Sequence, residues 1–354
     1  MAERKIMKGN EALAEAAIRA GCRFFSGYPI TPQTEVLEYL SWRMPEVGGH
    51  IIQTEDELTG LHMIMGASLS GARVLSTSAG PGFALFHEGI SYLCANGAPS
   101  VLVDVQRIGN GCGDITVSQG DYEEVTHGGG NGDSQCIVLT PASVQELVDL
   151  MMLAYDLTEK YRFPVILLSD AIIGQMMEGV TLPDYVNHDI NKYSWAFKPL
   201  KDGEEKIVKL GNEQLPAEYP VYLTGQIKKI QENEQRWESV QVSDADVVCV
   251  AYGISSRVCK DAVKKARAKG IKLGLIRLIT AWPFPEKAFC ELSPDCKGLL
   301  AVEMSIKGQT VQDIKLATKC KLPVYGYFDF LNVPDADNVI KMAENVIAGT
   351  AKEV

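Results

Sequence analysis

A chain of 354 residues, 46% hydrophobic and 22% charged, is long enough for two domains with ordinary cores and has the composition of a folded, soluble protein. Its formal net charge of −11 and pI near 5.1, with no dense run of Lys and Arg, argue against a nucleic-acid surface. Met1 to Lys8 lacks the apolar core of a signal peptide and no stretch approaches bilayer-spanning length, so a cytoplasmic protein with no membrane partner is expected.

Short apolar strands alternate with helical patterns from the start to about Ser169, the signature of a parallel sheet with helices on its faces. Asn10 caps an Ala-rich helix running to about Gly21, and Arg23 to Ser26 is a strand. Gly27-Tyr28-Pro29-Ile30-Thr31-Pro32 then reads as a strand end, a stiff turn and a helix start, with Thr31 as N-cap and Pro32 at the first helical position. Gln33 to Trp42 is a helix and Ile51 to Gln53 a strand; Thr54 and Glu57 form a capping box for a helix reaching Leu69. Arg73 to Ser76, Ser100 to Val105, Ile137 to Leu139 and Pro164 to Ser169 are strands, with helices at Phe83 to Ala95 and Val144 to Lys160. A polar, proline-containing connector follows to about residue 242. Periodicity then resumes, with strands at Asp246 to Ala251, Leu273 to Arg277, Gly298 to Val302 and Pro323 to Tyr327 and a helix from Ser256 to Lys269.

Residues with chemistry cluster just after strands. In open α/β folds that sheet edge binds ligands, and a helix start there presents free N–H groups to an anion. Thr31 is therefore a candidate ligand contact, with a plain helix cap as the first reading, and Glu57 is a carboxyl that either serves only the capping box, the reading the spacing favours, or meets a heterocycle nitrogen. Ser78-Ala79-Gly80-Pro81-Gly82 permits close backbone approach, while the absence of GxGxxG and GxxxxGK[ST] patterns weakens nicotinamide and ATP readings. Arg107, ending Asp104-Val105-Gln106-Arg107, can grip a carboxylate by a two-pronged hydrogen bond. Residues 108–135 hold eight glycines and little apolar pattern, as functional loops do, and the role of His127 within them is open. The nine cysteines, without a CxxC pair or a metal-like cluster, are expected as reduced thiols with no metal site.

Together Gly27 to Pro32, Glu55-Asp56-Glu57 ahead of Gly66-Ala67-Ser68, Ser78 to Gly82 with Glu88, Asp104 to Arg107, and Val302-Glu303-Met304 with Gly308-Gln309 carry a resemblance over nearly the whole chain. The sequence resembles the α subunit of a 2-oxoacid:ferredoxin oxidoreductase, closest to the 2-oxoisovalerate (3-methyl-2-oxobutanoate) branch, with the 2-oxoglutarate branch next. The resemblance implies an α/β fold: a thiamine diphosphate domain of the pyrimidine-binding type over 1–177, a connector over 178–242 and a transketolase C-terminal-like domain over 243–354.

It further implies that Glu57 hydrogen-bonds the pyrimidine N1′ and that Thr31 and Arg107 hold the substrate's carboxylate and carbonyl oxygens. Tyr28, Pro29, Ile30, Gly80, Pro81 and Gly82 line the cofactor. The diphosphate and Mg²⁺ would lie on a β subunit and [4Fe–4S] clusters on partner subunits, among them a γ and a ferredoxin-like one. Coenzyme A is the implied co-substrate and an external ferredoxin the electron acceptor. One departure is Ile108-Gly109-Asn110-Gly111-Cys112-Gly113 where the family has Gly-Gly-Pro-Ser-Thr-Gly; another is Asn131 where a histidine often precedes Gly-Asp. The expected function is oxidative decarboxylation of a branched-chain 2-oxoacid to its acyl-CoA, by a subunit inactive without its partners. The alternatives are a 2-oxoglutarate enzyme, a non-oxidative thiamine enzyme, and a non-catalytic packing module.

Overall fold

The structure, a computed structural model, describes residues 3–109, 114–197 and 219–354. Residues 110–113, with most of the departure after Arg107, and residues 198–218 of the expected connector lie outside the described residues. The strands are β1 (Glu3–Lys8), β2 (Cys22–Gly27), β3 (His50–Gln53), β4 (Arg73–Ser78), β5 (Val101–Gln106), β6 (Ile137–Leu139), β7 (Val165–Asp170), β8 (Met177–Leu182), β9 (Trp237–Val240), β10 (Val247–Ala251), β11 (Leu273–Leu278), β12 (Thr280–Trp282), β13 (Gly298–Glu303) and β14 (Val324–Phe328).

They form a seven-stranded sheet in the order β12-β6-β7-β5-β4-β2-β3 and a five-stranded sheet in the order β14-β13-β10-β11-β9, with β1 and β8 as a separate antiparallel pair. In the first sheet only β12 runs antiparallel, and in the second only β9. Strands β4, β5 and β7 are buried along their whole length because a parallel sheet is covered on both faces; β5 and β7 are accordingly mostly apolar, while β4 ends in the buried Ser76-Thr77-Ser78.

The two-residue period of β5 sorts its side chains between two cores. Val101, Val103 and Val105 join the helices Gly9–Arg19, Thr34–Glu46 and Val144–Tyr161 on one face, while Leu102 joins the helices Glu57–Leu69 and Phe86–Asn96 on the other. That second core continues without a break into Val248, Val250, Ile276 and Leu299 of the five-stranded sheet, so the two sheets share buried apolar surface. Each fully buried side chain of this kind contributes about 1.5–3 kcal/mol. The outer face of the second sheet is closed by the helices Gly253–Ala268 and Ala336–Ile347.

Several expected elements differ in detail. Asn10 is not a cap: the helix starts at Gly9, and the Asn10 amide donates to Pro32 O and Glu35 Oε2, both at 2.8 Å. The expected helix from Phe83 to Ala95 is divided into Pro81–Ala84 and Phe86–Asn96. Segment 178–242 contributes to two different sheets, because β8 pairs with β1 and β9 with β11. Conversely β12, from the second half, pairs with β6 of the first sheet. Such exchanges lock two α/β units to each other through main-chain bonds.

Candidate active site

Strands β2, β3, β4 and β5 are neighbours and parallel, so the segments leaving their C-terminal ends converge on one edge. These segments carry Thr31, Glu57, the Gly80 turn and Arg107.

Glu57 opens its helix, where the free N–H groups suit an acidic side chain. The cap is not Thr54, as expected, but Asp56, whose Oδ1 accepts from Thr59 N at 2.7 Å; Thr54 Oγ1 instead donates to Asp56 O at 2.7 Å. A carboxylate two residues nearer the helix displaces the hydroxyl as cap. Glu57 is buried, and its Oε1 accepts one long hydrogen bond, 3.5 Å, from Ser78 Oγ. A Cβ at Gly82 would collide with Glu57 Oε1 and Ser78 Oγ, so only glycine leaves the carboxyl its place.

Two residues earlier Gly80 has φ +45°, and a Cβ there would lie 3.4 Å from Arg107 Cγ. The Gly80-Pro81-Gly82 turn is therefore wedged between the Glu57 carboxyl and the Arg107 side chain. Arg107 is buried, Nη1 donates to Thr31 O at 3.0 Å, and Nε is buried without a partner.

Thr31 is not a helix cap. The Thr31–Pro32 bond is cis, residues 31–33 form a turn, and the helix begins at Thr34. Gln33, fully buried, sets that turn by donating from Nε2 to Tyr28 O at 3.0 Å and accepting from Thr77 Oγ1 at 2.6 Å. Pro32 O is held by the Asn10 and Gln175 amides at 2.8 and 3.2 Å. Thr31 and Tyr28 are exposed and Pro29 and Ile30 half-buried, so this turn presents its side chains outward beside Arg107.

Beyond Arg107 lies a cleft of about 300 Å³, whose first-sheet wall includes Arg107, Ile108, Ser118 and Asp121 and whose opposite wall includes Ile306, Lys307, Gln309 and Phe330. Glu57 does not line it. The cleft sits between the C-terminal edges of both sheets, since Ile306 follows β13 and Phe330 follows β14.

The second wall is fastened by Glu303, Met304 and Gln309, which carry the resemblance, and by Gln119, which the sequence reading did not single out. Gln119 N donates to Met304 O at 2.7 Å, its Oε1 accepts from Met304 N at 3.1 Å and Ser255 Oγ at 2.6 Å, and its Nε2 donates to Tyr252 O at 3.1 Å. Glu303 accepts from Gln309 N at 3.0 Å and Thr310 N at 3.2 Å, which orders the turn after β13. His127 Nε2 lies 3.1 Å from Asp313, whose other oxygen accepts from Tyr122 OH at 2.7 Å. The hydrogen bond to Asp313 raises the His127 pKa.

Three residues before Arg107, Asp104 is fully buried with neither carboxyl oxygen bonded to a donor, and Asp121 turns its Oδ2 inward without one. Burial first, then the nearby Asp121 and Glu124, push Asp104 well above the carboxylate range. Burial and Glu124 push Asp121 up to about 7. Burial of both groups favours their protonated forms.

The pyruvate flavodoxin/ferredoxin oxidoreductase thiamine diphosphate-binding family matches residues 15–244, and the pyruvate:ferredoxin oxidoreductase core domain II matches residues 245–333. The chain is 43% identical over 320 residues to the ketoisovalerate oxidoreductase subunit VorB of Methanothermobacter thermautotrophicus, covering 90% of each. It is 37% identical over 346 residues to the 2-oxoglutarate synthase subunit KorA of Methanocaldococcus jannaschii, covering 89% of this chain and 92% of that one. A solved 2-oxoglutarate:ferredoxin oxidoreductase from Magnetococcus marinus, with 2-oxoglutarate, coenzyme A and succinyl-CoA bound, superposes with TM-score 0.85 at 26% identity; this chain spans 98% of its own length and 66% of that chain's. A split-gene transketolase shares the fold, with TM-score 0.56 at 13% identity over 97% of this chain and 98% of that one.

The chain belongs to the 2-oxoacid:ferredoxin oxidoreductases, thiamine diphosphate-dependent enzymes, as one of their subunits. Among the described residues no helix is long and apolar enough to cross a membrane.

Proposed function

We propose that this chain supplies the Glu57, Thr31 and Arg107 side of a thiamine diphosphate site that oxidatively decarboxylates a branched-chain 2-oxoacid, 2-oxoisovalerate, to its acyl-CoA. The observation that carries the reading is the glycine turn wedged between a buried carboxyl and a buried guanidinium with an orphaned Nε. The similarity to VorB subunits, at 43 and 44% identity, supports the substrate.

The residues fit the cofactor's pyrimidine side. Glu57 has a carboxyl with capacity beyond its one long bond, at a place kept clear by Gly82, and it would hold a ring nitrogen, N1′, by a hydrogen bond. Tyr28, Pro29, Ile30, Gly80 and Pro81 would border the ring. Thiamine diphosphate, when bound, supplies a nucleophilic carbon for the 2-oxo group and an electron sink for loss of carbon dioxide. Arg107 binds the substrate carboxylate and orients it, and Thr31, beside it, meets the carbonyl oxygen. Glu57 keeps the hydrogen-bond state of the ring fixed.

In this reading 1–177 is the cofactor domain, 178–242 a connector and 243–354 the transketolase C-terminal-like domain. The diphosphate and Mg²⁺ would sit on a β subunit, while γ and ferredoxin-like subunits would bring [4Fe–4S] clusters. Coenzyme A takes the acyl group, an external ferredoxin takes the electrons, and the complex works in the cytoplasm.

Arg107→Ala in the assembled complex tests this. Loss of a charge-assisted hydrogen bond costs about 1.5–3 kcal/mol, so KM for 2-oxoisovalerate should rise about 10- to 100-fold. Unchanged KM and kcat would contradict the assignment.

A further inference from the structure

The cleft beyond Arg107 has two unlike walls. The first-sheet wall includes Arg107, and the opposite one is led by Ile306 and Phe330, which are 74% and 42% exposed at the C-terminal edge of the second sheet. Ile306 and Phe330 offer an apolar group at this mouth a surface that it can bury. Ile108, next to Arg107, adds an apolar surface from the near side.

Lys307 stands on the same wall, but its ammonium is paired with the Glu123 carboxylate. The backbone beside the pair is ordered: Glu123 N donates to Gln309 Oε1 at 2.7 Å, and Gln309 N donates to Glu303 at 3.0 Å. A substrate anchored by its 1-carboxylate on Arg107 extends its side chain across the cleft. An aliphatic side chain then meets Ile306 and Phe330, whereas a second carboxylate meets a cation already neutralised, with Asp121 nearby.

We propose that the second domain's edge, Ile306 and Phe330, selects the side-chain class of the 2-oxoacid, and that the Lys307–Glu123 pair excludes a second carboxylate. This rests on the reading that Arg107 holds the substrate carboxylate. It assigns specificity to the domain that does not carry Glu57.

The test is kcat/KM of the assembled complex for 2-oxoisovalerate and 2-oxoglutarate, in wild type and in Ile306→Lys, Phe330→Ala, Glu123→Gln and Arg107→Ala. Wild type should favour 2-oxoisovalerate. Ile306→Lys should move the ratio toward 2-oxoglutarate by about tenfold or more, and Glu123→Gln should move it the same way by less. Phe330→Ala should raise KM for 2-oxoisovalerate about five- to tenfold with kcat within about twofold, as expected for uniform binding lost with an apolar wall. A ratio and a KM that stay within about twofold in the Ile306 and Phe330 variants, while Arg107→Ala still weakens both substrates, would overturn the proposal and leave the site assignment standing. Arg107→Ala without effect would overturn the underlying reading instead.

Discussion

At the scale of single residues the site depends on an absence of atoms. Gly82 has no side chain, and that space is where the Glu57 carboxyl stands. Gly82→Ala should push the carboxyl away from Ser78 and out of register with any ring bound there. The expected outcome is a fall in kcat of the assembled complex of about 100-fold or more, because a small misplacement of a catalytic group has that effect. Overpacking should also lower stability by about 1–3 kcal/mol, read by thermal unfolding. A variant with wild-type kcat would show that the turn tolerates the methyl and that Glu57 is not held by it.

Arg107 shows how far such a site can be read beforehand. An arginine ending a buried strand is visible in the sequence, as are the acid after β3 and the glycine turn after β4, since each follows a short predicted strand. Their mutual contacts are not visible, because the Arg107–Thr31 bond joins residues far apart in the chain.

At the scale of elements, helix starts were the places where local reasoning failed. Thr31-Pro32 has the residue types of a helix start, yet the turn there is held by Gln33 through Thr77 on another strand, a partner no local pattern reveals. Near β3 two capping side chains stood two residues apart, and Asp56 prevailed over Thr54. Strands β9 and β12 are short, and each pairs with a partner chosen by tertiary packing, so neither carries a periodic signal.

The pair of Asp104 on β5 and Asp121 ahead of helix Tyr122–Thr126 makes a prediction at this same scale. The folded pKa of Asp121, about 7, lies above its ordinary value of 3.8. Protonation therefore favours the folded state: the contribution is fully present below about pH 4 and is lost as pH rises through about 7. Thermal stability measured between pH 5 and 8 should fall with pH in the wild type and fall less in Asp121→Asn. An identical slope in both proteins would contradict the raised Asp121 pKa.

At the scale of the whole molecule, two α/β units act as one because they share a core and exchange strands, and because Gln119 binds both. Gln119→Ala would leave Ser255 and Met304 groups in the interface without their acceptor, at a cost of about 1–3 kcal/mol. A lowered unfolding temperature together with a raised KM for the 2-oxoacid would show that this frame also holds the cleft; an unchanged unfolding temperature would deny it the role. The fold class and the order of the units were readable from alternating apolar runs. The cleft's second wall was not, because it exists only where Ile306 and Phe330 are brought opposite Arg107 by the packing of one sheet edge on another.

The account centres on Glu57 as the carboxyl that serves a thiamine ring in a multi-subunit 2-oxoacid oxidoreductase. The direct measurement is 2-oxoisovalerate-dependent reduction of a one-electron dye by the complex assembled with Glu57→Gln, with assembly checked by size-exclusion chromatography. Turnover should fall by about 10²–10⁴-fold in an intact complex. An intact Glu57→Gln complex that turns over at the wild-type rate would contradict the account.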